Sequence, residues 1–509
     1  MSIPTAFKRL LTPVLMILLV LAGLLVVTRV YAAGETLLAL TMLAVLAVFV
    51  WIYTSPRTYS YRYLFPGIGA ALIFVVFPML YTIEIGFTNY SSKNLLTFQR
   101  ATRYLLEETY RADGATYAFS LHGQDGKYLG YLEDPDKGTV FVTPPLNLES
   151  DAHLAVKATP APRLPDGEPV PMTELIARQK ALKALAVAMP DGSQVKMTGL
   201  REFAPSRPQY TVNPDGSLKN NQDGSVLKPN FKTGFYEGAD GEPVQPGFQV
   251  GIGWKNYIEI LTDTGLREPF WRIFIWTLVF SALSVLFCAS LGMLLAVLLN
   301  WDALRFKGLY RLLLFLPYAV PGFISILIFK GLFNNNTGEI NLVLNALFGL
   351  KPTWFSDPTL AKITLLIVNT WLGFPYMMVV CMGLIKAIPQ DLYEASAVAG
   401  AGPLTNFFRI TMPLILKPLT PLLISSFAFN FNNFVLVLLL TGGLPDFPNT
   451  SVPAGSTDLL VTYTFRMAFQ DSGQRFGLAA AISTVVFLMV AVVSMIQIRT
   501  TRIAEDSRR

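Results

Sequence analysis

The sequence predicts an all-α polytopic membrane protein with eight transmembrane helices and a large, β-rich domain inserted between helices three and four. Of its 509 residues, 52% are hydrophobic and 15% are charged, whereas soluble proteins carry about 25% charged residues. The hydrophobic residues lie in blocks of the length that crosses a bilayer. A polar stretch, residues 91–270, separates three blocks from the other five. This distribution excludes a soluble enzyme.

Each apolar block is predicted to be one membrane span, because about 20 apolar residues cross the hydrocarbon core. The blocks are Leu10–Tyr31, Leu37–Tyr53, Leu64–Phe87, Ile273–Leu299, Leu309–Phe333, Ile363–Ile385, Leu414–Leu440 and Phe476–Ile498. The first block exceeds the about 7–15 apolar residues of a signal peptide, and a second block follows at once. We therefore expect the first block to remain as a membrane anchor.

The loops between the predicted spans differ in charge. If eight spans alternate across the membrane, fourteen Lys and Arg residues lie in or beside the short loops on one side and six on the other. Cytoplasmic loops carry the excess of positive charge. Both termini are therefore expected on the cytoplasmic side, and residues 91–270 on the opposite face.

Residues 91–270 are expected to form a folded domain between two membrane regions, residues 1–90 and 271–509. The signals are the hairpin dipeptides Asp125-Gly126, Asp215-Gly216 and Asp223-Gly224, predicted strands at Thr116–Ser120 and Tyr128–Tyr131, and a predicted helix at Thr173–Met189. A segment of about 180 residues can bury its own core. So large a domain favours contact with a partner over a merely solubilising insertion.

Composition limits the chemistry of the chain. Cys288 and Cys381 lie in apolar blocks, and His122 and His153 stand apart in the polar stretch, so no four-ligand zinc site is expected. Residues 91–270 carry 19 Lys and Arg against 22 Asp and Glu, so the net charge of +6 arises beside the apolar blocks. Membrane topology accounts for that pattern. We expect no metal, no cofactor, no catalytic residue and no nucleic-acid partner.

The seventh block contains an unusual polar segment. Three asparagines within four residues are unfavourable in hydrocarbon unless each finds a partner. The residues Ser426, Phe429, Asn430 and Asn433 follow the i, i+3, i+4, i+7 pattern of one helix face. Amides and a hydroxyl beside an aromatic ring suit a neutral sugar. The alternative is that the asparagines only join neighbouring helices, and the pattern alone leaves both interpretations open.

Proline and glycine interrupt two further blocks. The sixth contains Gly373, Pro375 and Tyr376, and the fifth contains Pro317 to Gly322. Membrane helices tolerate such breaks where a cavity or a neighbouring helix satisfies the freed backbone groups. Charged residues are scarce within the spans; Glu84, near the outer end of the third, is the exception. This scarcity argues against a proton-coupled carrier.

The loop between the sixth and seventh blocks, residues 387–413, is predicted to form two short cytoplasmic helices. Pro389 can open the first, Gly400 or Gly402 can end it in the left-handed conformation, and Pro403 can open the second. The bare pattern also fits a tight interhelical loop.

This loop resembles the EAA loop of ABC importer permeases. Glu394-Ala395, Gly400 and Ile410-Thr411-Met412-Pro413 match the pattern E-A-A-x(3)-G-x(9)-I-x-L-P. Ser396 replaces the second alanine and Met412 the leucine, and Ala399 stands where many members have aspartate. The overall match remains intact.

The resemblance extends over nearly the whole chain. The eight spans, the large loop after the third, the Asn430–Asn433 segment and the Phe476–Ala481 opening of the last span are similar to the maltose and maltodextrin permease family of type I ABC importers. This resemblance implies a bacterial inner-membrane protein with residues 91–270 in the periplasm. It also implies assembly with a second permease subunit, two copies of an ATPase subunit and a periplasmic maltose-binding protein, for import of maltose or maltodextrin.

The resemblance further implies functional residues. Its sugar site would comprise Leu372, Gly373, Tyr376, Ser426, Phe429, Asn430, Asn433 and Val435. Its ATPase contact would include Glu394, Ala395 and Gly400. Val435 lies nine residues beyond Ser426, about 180° away on an ideal helix. It can join the same face only if the helix is distorted there.

Two other function classes compete. A secondary, ion-coupled sugar carrier fits the lack of a G-x-x-x-x-G-K-[ST] phosphate loop as well as a permease with a separate ATPase does. The EAA-like loop favours the ABC permease, because a carrier has no ATPase to dock. A receptor would need a cytoplasmic output domain, whereas only eleven residues follow Ile498.

Overall fold

The chain divides into two compact units. The computed structural model describes residues 5–124, 127–148, 155–165, 167–301 and 303–506. One unit comprises Met1–Ser92 with Gly251–Arg509, and the other comprises Lys93–Val250. Residues 251–270 belong to the first unit because they form helices that run into the fourth predicted span. The observed division therefore differs from the predicted domain end at residue 270.

The N-terminal helices of the first unit follow the first three predicted spans. They are α1 (Thr5–Ala32), α2 (Thr36–Thr54), α3 (Phe65–Ala71) and α4 (Phe77–Gly86). A 3₁₀ turn, Pro56–Arg62, follows α2, and a π-helical turn, Leu72–Val76, joins α3 to α4. The latter two helices therefore form one apolar segment, Phe65–Gly86, of 22 residues.

The second unit opens with one helix and a nine-stranded sheet. The elements are α5 (Phe98–Glu107), β1 (Thr109–Arg111), β2 (Tyr117–Gln124), β3 (Lys127–Glu133), β4 (Val140–Val142), β5 (Ala155–Lys157), β6 (Thr159–Ala161), α6 (Met172–Ala177), α7 (Gln179–Ala184), β7 (Ala186–Ala188), β8 (Gln194–Gly199) and β9 (Glu202–Pro208). The strand order is β5-β7-β8-β9-β2-β3-β4-β6, and β1 pairs with β9. Phe119, Leu132, Leu182 and Phe203 are buried in the core of this sheet.

A five-stranded antiparallel meander completes the second unit. Its strands are β10 (Tyr210–Val212), β11 (Leu218–Asn220), β12 (Val226–Asn230), β13 (Phe235–Glu237) and β14 (Pro243–Val244). The predicted dipeptides at Gly216 and Gly224 form its first two turns, where φ is +79° and +75°. Asp125 and Gly126 lie outside the described residues. The predicted strands at 116–120 and 128–131 are confirmed as β2 and β3.

The predicted helix Thr173–Met189 is helical as far as Ala184, with an interruption at Arg178, and is wrong only at its C-terminal end. Two short helices, α6 and α7, meet at Arg178, where φ is −102° and ψ is 6°, and the chain then enters strand β7. The helix-like spacing of Leu175, Leu182 and Leu185 reflects burial of all three in one core. Strand β7 also pairs in parallel with β5 (Ala155 opposite Ala186), a contact between distant segments that the local spacing does not reveal.

The C-terminal part of the first unit is helical. Its helices are α8 (Lys255–Thr262), α9 (Thr264–Asn300), α10 (Lys307–Ala319), α11 (Gly322–Leu332), α12 (Glu339–Phe348), α13 (Pro358–Lys386), α14 (Asp391–Val398), α15 (Pro403–Asn406), α16 (Met412–Phe431), α17 (Phe434–Leu440), α18 (Leu460–Phe469) and α19 (Phe476–Asp506). A π-helical turn, Phe407–Thr411, joins α15 to α16. Helices α9 and α13 pack against each other, with Met293, Ala296, Met378 and Cys381 in one of the buried clusters.

Six helices of the described residues are long and apolar enough to cross a membrane, and a bent pair makes up to seven. In α19 the stretch Phe476–Val492 is an apolar helix of fewer than 18 residues within the described part of the chain. The described chain thus combines about six apolar helices of membrane-spanning length with a β-rich inserted domain.

Two predicted spans are not single helices. The fifth, Leu309–Phe333, consists of α10 and α11, which are bent by 91°, because Pro321 follows Val320 in an extended conformation that ends α10. The seventh, Leu414–Leu440, breaks between α16 and α17 at Asn432 and Asn433. In the last turn of α16, a side-chain amide donates a hydrogen bond to a backbone carbonyl oxygen of the same helix: Asn430 Nδ2 lies 2.8 Å from Ser426 O.

Candidate functional site

A cavity of about 830 Å³ lies among α9, the α10–α11 bend, α13 and the α16–α17 break. All eight predicted sugar-site residues line this cavity: Leu372, Gly373, Tyr376, Ser426, Phe429, Asn430, Asn433 and Val435. Every lining residue is uncharged. The cavity can therefore hold a neutral polar molecule through hydrogen bonds and ring contacts.

The asparagines of the seventh span join two helices. Asn369 on α13 donates from Nδ2 to Asn430 Oδ1 (2.7 Å) and accepts at Oδ1 from Asn433 Nδ2 (3.0 Å). Asn369 and Asn430 are 6% and 7% exposed, so these bonds form away from water. The hydrogen bonds of Asn430 and Asn433 therefore join the seventh span to α13, as the helix-joining interpretation expects. All three residues also line the cavity, so the helix-joining contacts leave the sugar-binding interpretation open as a prediction.

The break in the seventh span explains the position of Val435. Helix α16 ends at Phe431, and Asn433 has a ψ of 74°, outside the helical range. Helix α17 therefore starts with a new orientation, and Val435 lines the same cavity as Ser426. The distortion required by the sequence analysis is present.

A close helix contact forms the floor of the cavity at Gly373. A Cβ atom built on Gly373 would lie 2.6 Å from Cys288 Sγ on α9, so only glycine lets α9 and α13 approach this closely. The Cys288 thiol contacts the carbonyl oxygen of Asn369 at 3.8 Å. The close approach thus places α9 directly beside the Asn369 segment of α13.

Both aromatic side chains of the predicted site remain available at the cavity. Phe429 is 71% exposed and Tyr376 is 42% exposed. Neither packs into one of the buried clusters of the described chain. A bound molecule can therefore meet a phenyl face and a phenol hydroxyl.

Sequence reasoning missed several lining residues. Asn369 and Cys288 lie in apolar blocks and belong to no motif, and Pro317 to Phe323 enter the lining only because α10 and α11 are sharply bent. An uncharged amide within the sixth span was the available signal for Asn369, since such a group needs a partner in hydrocarbon.

The EAA-like loop forms a compact helical hairpin. Helix α14 begins two residues after Pro389, and Gly400 follows it with a φ of +73°, the left-handed conformation that the sequence predicts. Pro403 is the first residue of α15. The Tyr393 hydroxyl contacts the Thr411 hydroxyl at 2.8 Å and ties α14 to the following π-helical turn.

The outer surface of this hairpin is unusually apolar. Glu394, Ala395 and Gly400 are exposed, and Val398 and Leu404 are 91% and 75% exposed. Large exposed apolar side chains on a rigid element indicate a surface that contacts another protein. The predicted coupling residues thus lie together on this surface.

A buried ion network stabilises the segment that follows α17. Arg466 on α18 donates to Asp458 Oδ2 and to Asp446 Oδ1, each at 2.7 Å. Asp458 is fully buried and also accepts from Gly455 N and the Thr462 hydroxyl, both at 2.8 Å. Within the described residues, no three His, Cys, Asp or Glu side chains are grouped so that they could hold a metal ion.

Both units of the chain match known protein families in sequence. Residues 96–253 match the P2 domain of the maltose transport system permease protein MalF, and residues 288–503 match the inner membrane component of binding-protein-dependent transport systems. The maltose/maltodextrin transport system permease protein MalF of Escherichia coli K12 is 50% identical over 500 residues, 97% of this chain and 96% of its own length.

Two further relatives are similar to this chain to the same extent. MalF of Yersinia pestis is 50% identical over 484 residues, 94% of this chain and 91% of its own length. MalF of Salmonella typhimurium is 50% identical over 496 residues, 96% of each chain. Because this identity extends along nearly the full length of the chain, the chain belongs to the MalF family of maltose/maltodextrin transport permeases.

Proposed function

We propose that this chain is the membrane-spanning permease subunit of an ATP-driven importer of maltose and maltodextrin. The observation that carries the proposal is the uncharged cavity, whose lining contains amides, hydroxyls and exposed aromatic rings. Sugars offer hydroxyls to amides and apolar faces to rings, and a charged substrate would require charged partners. The relatives' role in maltose transport supports this substrate.

Within the cavity, each proposed sugar-binding residue has a distinct task. Phe429 covers an apolar sugar face, and Tyr376 offers its hydroxyl. Asn430 and Asn433 are oriented by Asn369, so their remaining hydrogen-bonding atoms meet the sugar in a fixed geometry. Ser426, Leu372, Gly373 and Val435 complete the wall.

The exposed hairpin is proposed to dock the ATPase. Glu394 can enter a cleft of the ATPase as a charged group, with Ala395 and Gly400 allowing close backbone approach. The apolar side chains of Val398 and Leu404 enlarge the contact. A rigid hairpin transmits movement of the ATPase into α16, because α15, the π-helical turn and α16 are continuous.

The proposed assembly has four further polypeptides. They are a MalG-like second permease, two copies of a MalK-like ATPase and a periplasmic maltose-binding protein. The chain crosses the bacterial inner membrane eight times, with the α10–α11 pair and α19 completing the count, and lies in membrane lipid. Both termini are cytoplasmic, and the inserted domain is periplasmic, where it meets the binding protein.

Affinity purification followed by reconstitution tests this function. The tagged chain should bring down an ATPase and a second permease, and vesicles containing the complex should take up maltose only with ATP and the binding protein. Uptake driven by an ion gradient without ATP would instead establish a secondary carrier. Reporter fusions after residues 62 and 308 should read cytoplasmic and one near 200 periplasmic; a cytoplasmic signal at 200 would overturn the topology.

A further inference from the structure

Helix α8 lies at the level where the membrane spans end. Asn256 donates from Nδ2 to the carbonyl oxygens of Gly86 and Thr88, each at 2.9 Å, at the end of α4. Glu259 forms an ion pair with Arg475, one residue before α19 begins. One residue, Asp263, separates α8 from the long helix α9. The helix is therefore held against the ends of three apolar helices, on the side of the inserted domain.

The surface of α8 is divided into three sectors. At 100° per residue, Asn256 and Ile260 share the sector that is buried against the protein. Lys255 and Thr262 share an exposed polar sector. The third sector holds Trp254, just before the helix, with Ile258 and Leu261; they follow the i, i+4, i+7 pattern of one face.

This third sector is strongly apolar and exposed. Trp254, Ile258 and Leu261 are 64%, 56% and 59% exposed. The Trp254 ring contacts Phe87, at the end of α4, with ring centroids 4.9 Å apart in an edge-to-face arrangement, and Tyr257 lies 5.3 Å away. A cluster of Trp, Tyr and Phe at the end of apolar helices is typical of the membrane–water interface.

We propose that α8 is an interfacial helix whose Trp254, Ile258 and Leu261 face inserts into the lipid leaflet on the side of the inserted domain. The hydrogen bonds to the end of α4 place the face where the hydrocarbon core gives way to headgroups. The neighbouring polar sector keeps Lys255 on the headgroup side, where its ammonium group meets lipid phosphates. Amphipathic helices with aromatic and aliphatic residues on one face bind lipid in this way.

The insertion has a consequence for the architecture. Val250 is the last residue of the inserted unit, and α8 begins five residues later at Lys255. A helix anchored in lipid at this point fixes the chain where it returns to the membrane. The anchor acts together with the protein contacts of Asn256 and Glu259.

Site-directed spin labelling of the full chain in its assembled transporter, in phosphatidylethanolamine–phosphatidylglycerol vesicles, tests this proposal. Ile258→Cys and Leu261→Cys each carry a nitroxide on the apolar face, and Lys255→Cys is the control on the exposed polar sector, about 100° from Trp254 and about 120° from Leu261. The native Cys288 and Cys381 are buried, and the labelled parent chain measures their background. Collision with lipid-soluble oxygen is compared with collision with a water-soluble nickel chelate.

The ratio of oxygen to nickel collisions should be about tenfold higher at Ile258 and Leu261 than at Lys255, because an interfacial helix buries its apolar face about 5–10 Å deep. Equal nickel access at all three positions would overturn the proposal and place the face in water. Protection of Ile258 and Leu261 from both reagents would also overturn it and assign the face to a protein partner. ATP-dependent maltose uptake by each variant verifies its assembly, and two independent labels on the face prevent one misfolded variant from deciding the result.

Discussion

The most informative perturbation of the candidate sugar site is Phe429→Ala. Asn430 joins two helices, so its replacement by leucine leaves the buried Asn369 amide unpaired and disturbs packing as well as sugar contacts. Phe429 is 71% exposed, so its truncation leaves little empty volume in the protein. The variant therefore separates sugar contact from helix packing, which Asn430→Leu cannot do.

The expected effect follows from the area of the ring. A phenylalanine side chain offers about 200 Å² of surface, so 71% exposure leaves about 140 Å² available. A sugar that lies on one face covers about half of this area, or about 70 Å². At about 25 cal/mol per Å², the lost contact contributes about 1.8 kcal/mol. Maltose affinity should therefore fall about 20-fold.

The assay is equilibrium binding of radiolabelled maltose to the purified, assembled transporter, with thermal unfolding measured in parallel. Phe487→Ala is the matched control, because Phe487 on α19 is 45% exposed and does not line the cavity. It should leave maltose affinity unchanged. Unchanged affinity in an assembled Phe429→Ala transporter would refute sugar contact by this ring, and a large loss of thermal stability would refute the packing argument.

Three further variants test the remaining contacts. Asn369→Leu should lower the free energy of unfolding by about 1–3 kcal/mol, because it leaves a buried partner amide unpaired; thermal unfolding measures this. Gly400→Val should abolish ATP-driven uptake without loss of membrane insertion, because valine at a φ of +73° strains the turn by about 1–2 kcal/mol or more. Arg466→Met should destabilise the chain by about 3–5 kcal/mol, because the fully buried Asp458 then lacks its counter-charge.

Matched controls accompany these variants. Asn432→Leu replaces an exposed asparagine outside the cavity lining and should leave stability nearly unchanged. Gly402→Ala lies in the same hairpin at a φ of −80° with open space around its Cβ position, so uptake should persist. Asp458→Asn combined with Arg466→Met should recover part of the lost stability. An Arg466→Met chain as stable as the parent, or full uptake with Gly400→Val, would contradict the corresponding argument.

Local patterns determined much of the architecture. Apolar blocks predict helices because a bilayer requires about 20 apolar residues, and Asp-Gly pairs such as Asp215-Gly216 predict hairpins because glycine adopts positive φ without strain. The left-handed Gly400 and the helix start at Pro403 follow from the same local preferences. Such features depend on neighbours within a few residues, so the sequence by itself suffices.

The polar helix face in the seventh span could also be predicted from the sequence, but the residues that contact this face could not. The spacing of Ser426 to Asn433 predicts a shared face, and all its predicted members line one cavity. Asn369 pairs with Asn430 from 61 positions away, and no local period indicates that pairing. The predicted sugar-binding role of these residues stays a prediction until binding is measured.

Only the tertiary structure determined which segments form the wall of the cavity. The 91° bend between α10 and α11 brings Pro317 and Phe323 into its wall, and the break after Phe431 turns Val435 towards it. Gly373 allows α13 to meet Cys288 of α9. The sequence determined which segments are helical and which faces are polar, because these properties have the period of the backbone. Tertiary packing decided where helices bend and which amides meet, because those choices depend on contacts between segments far apart in the chain.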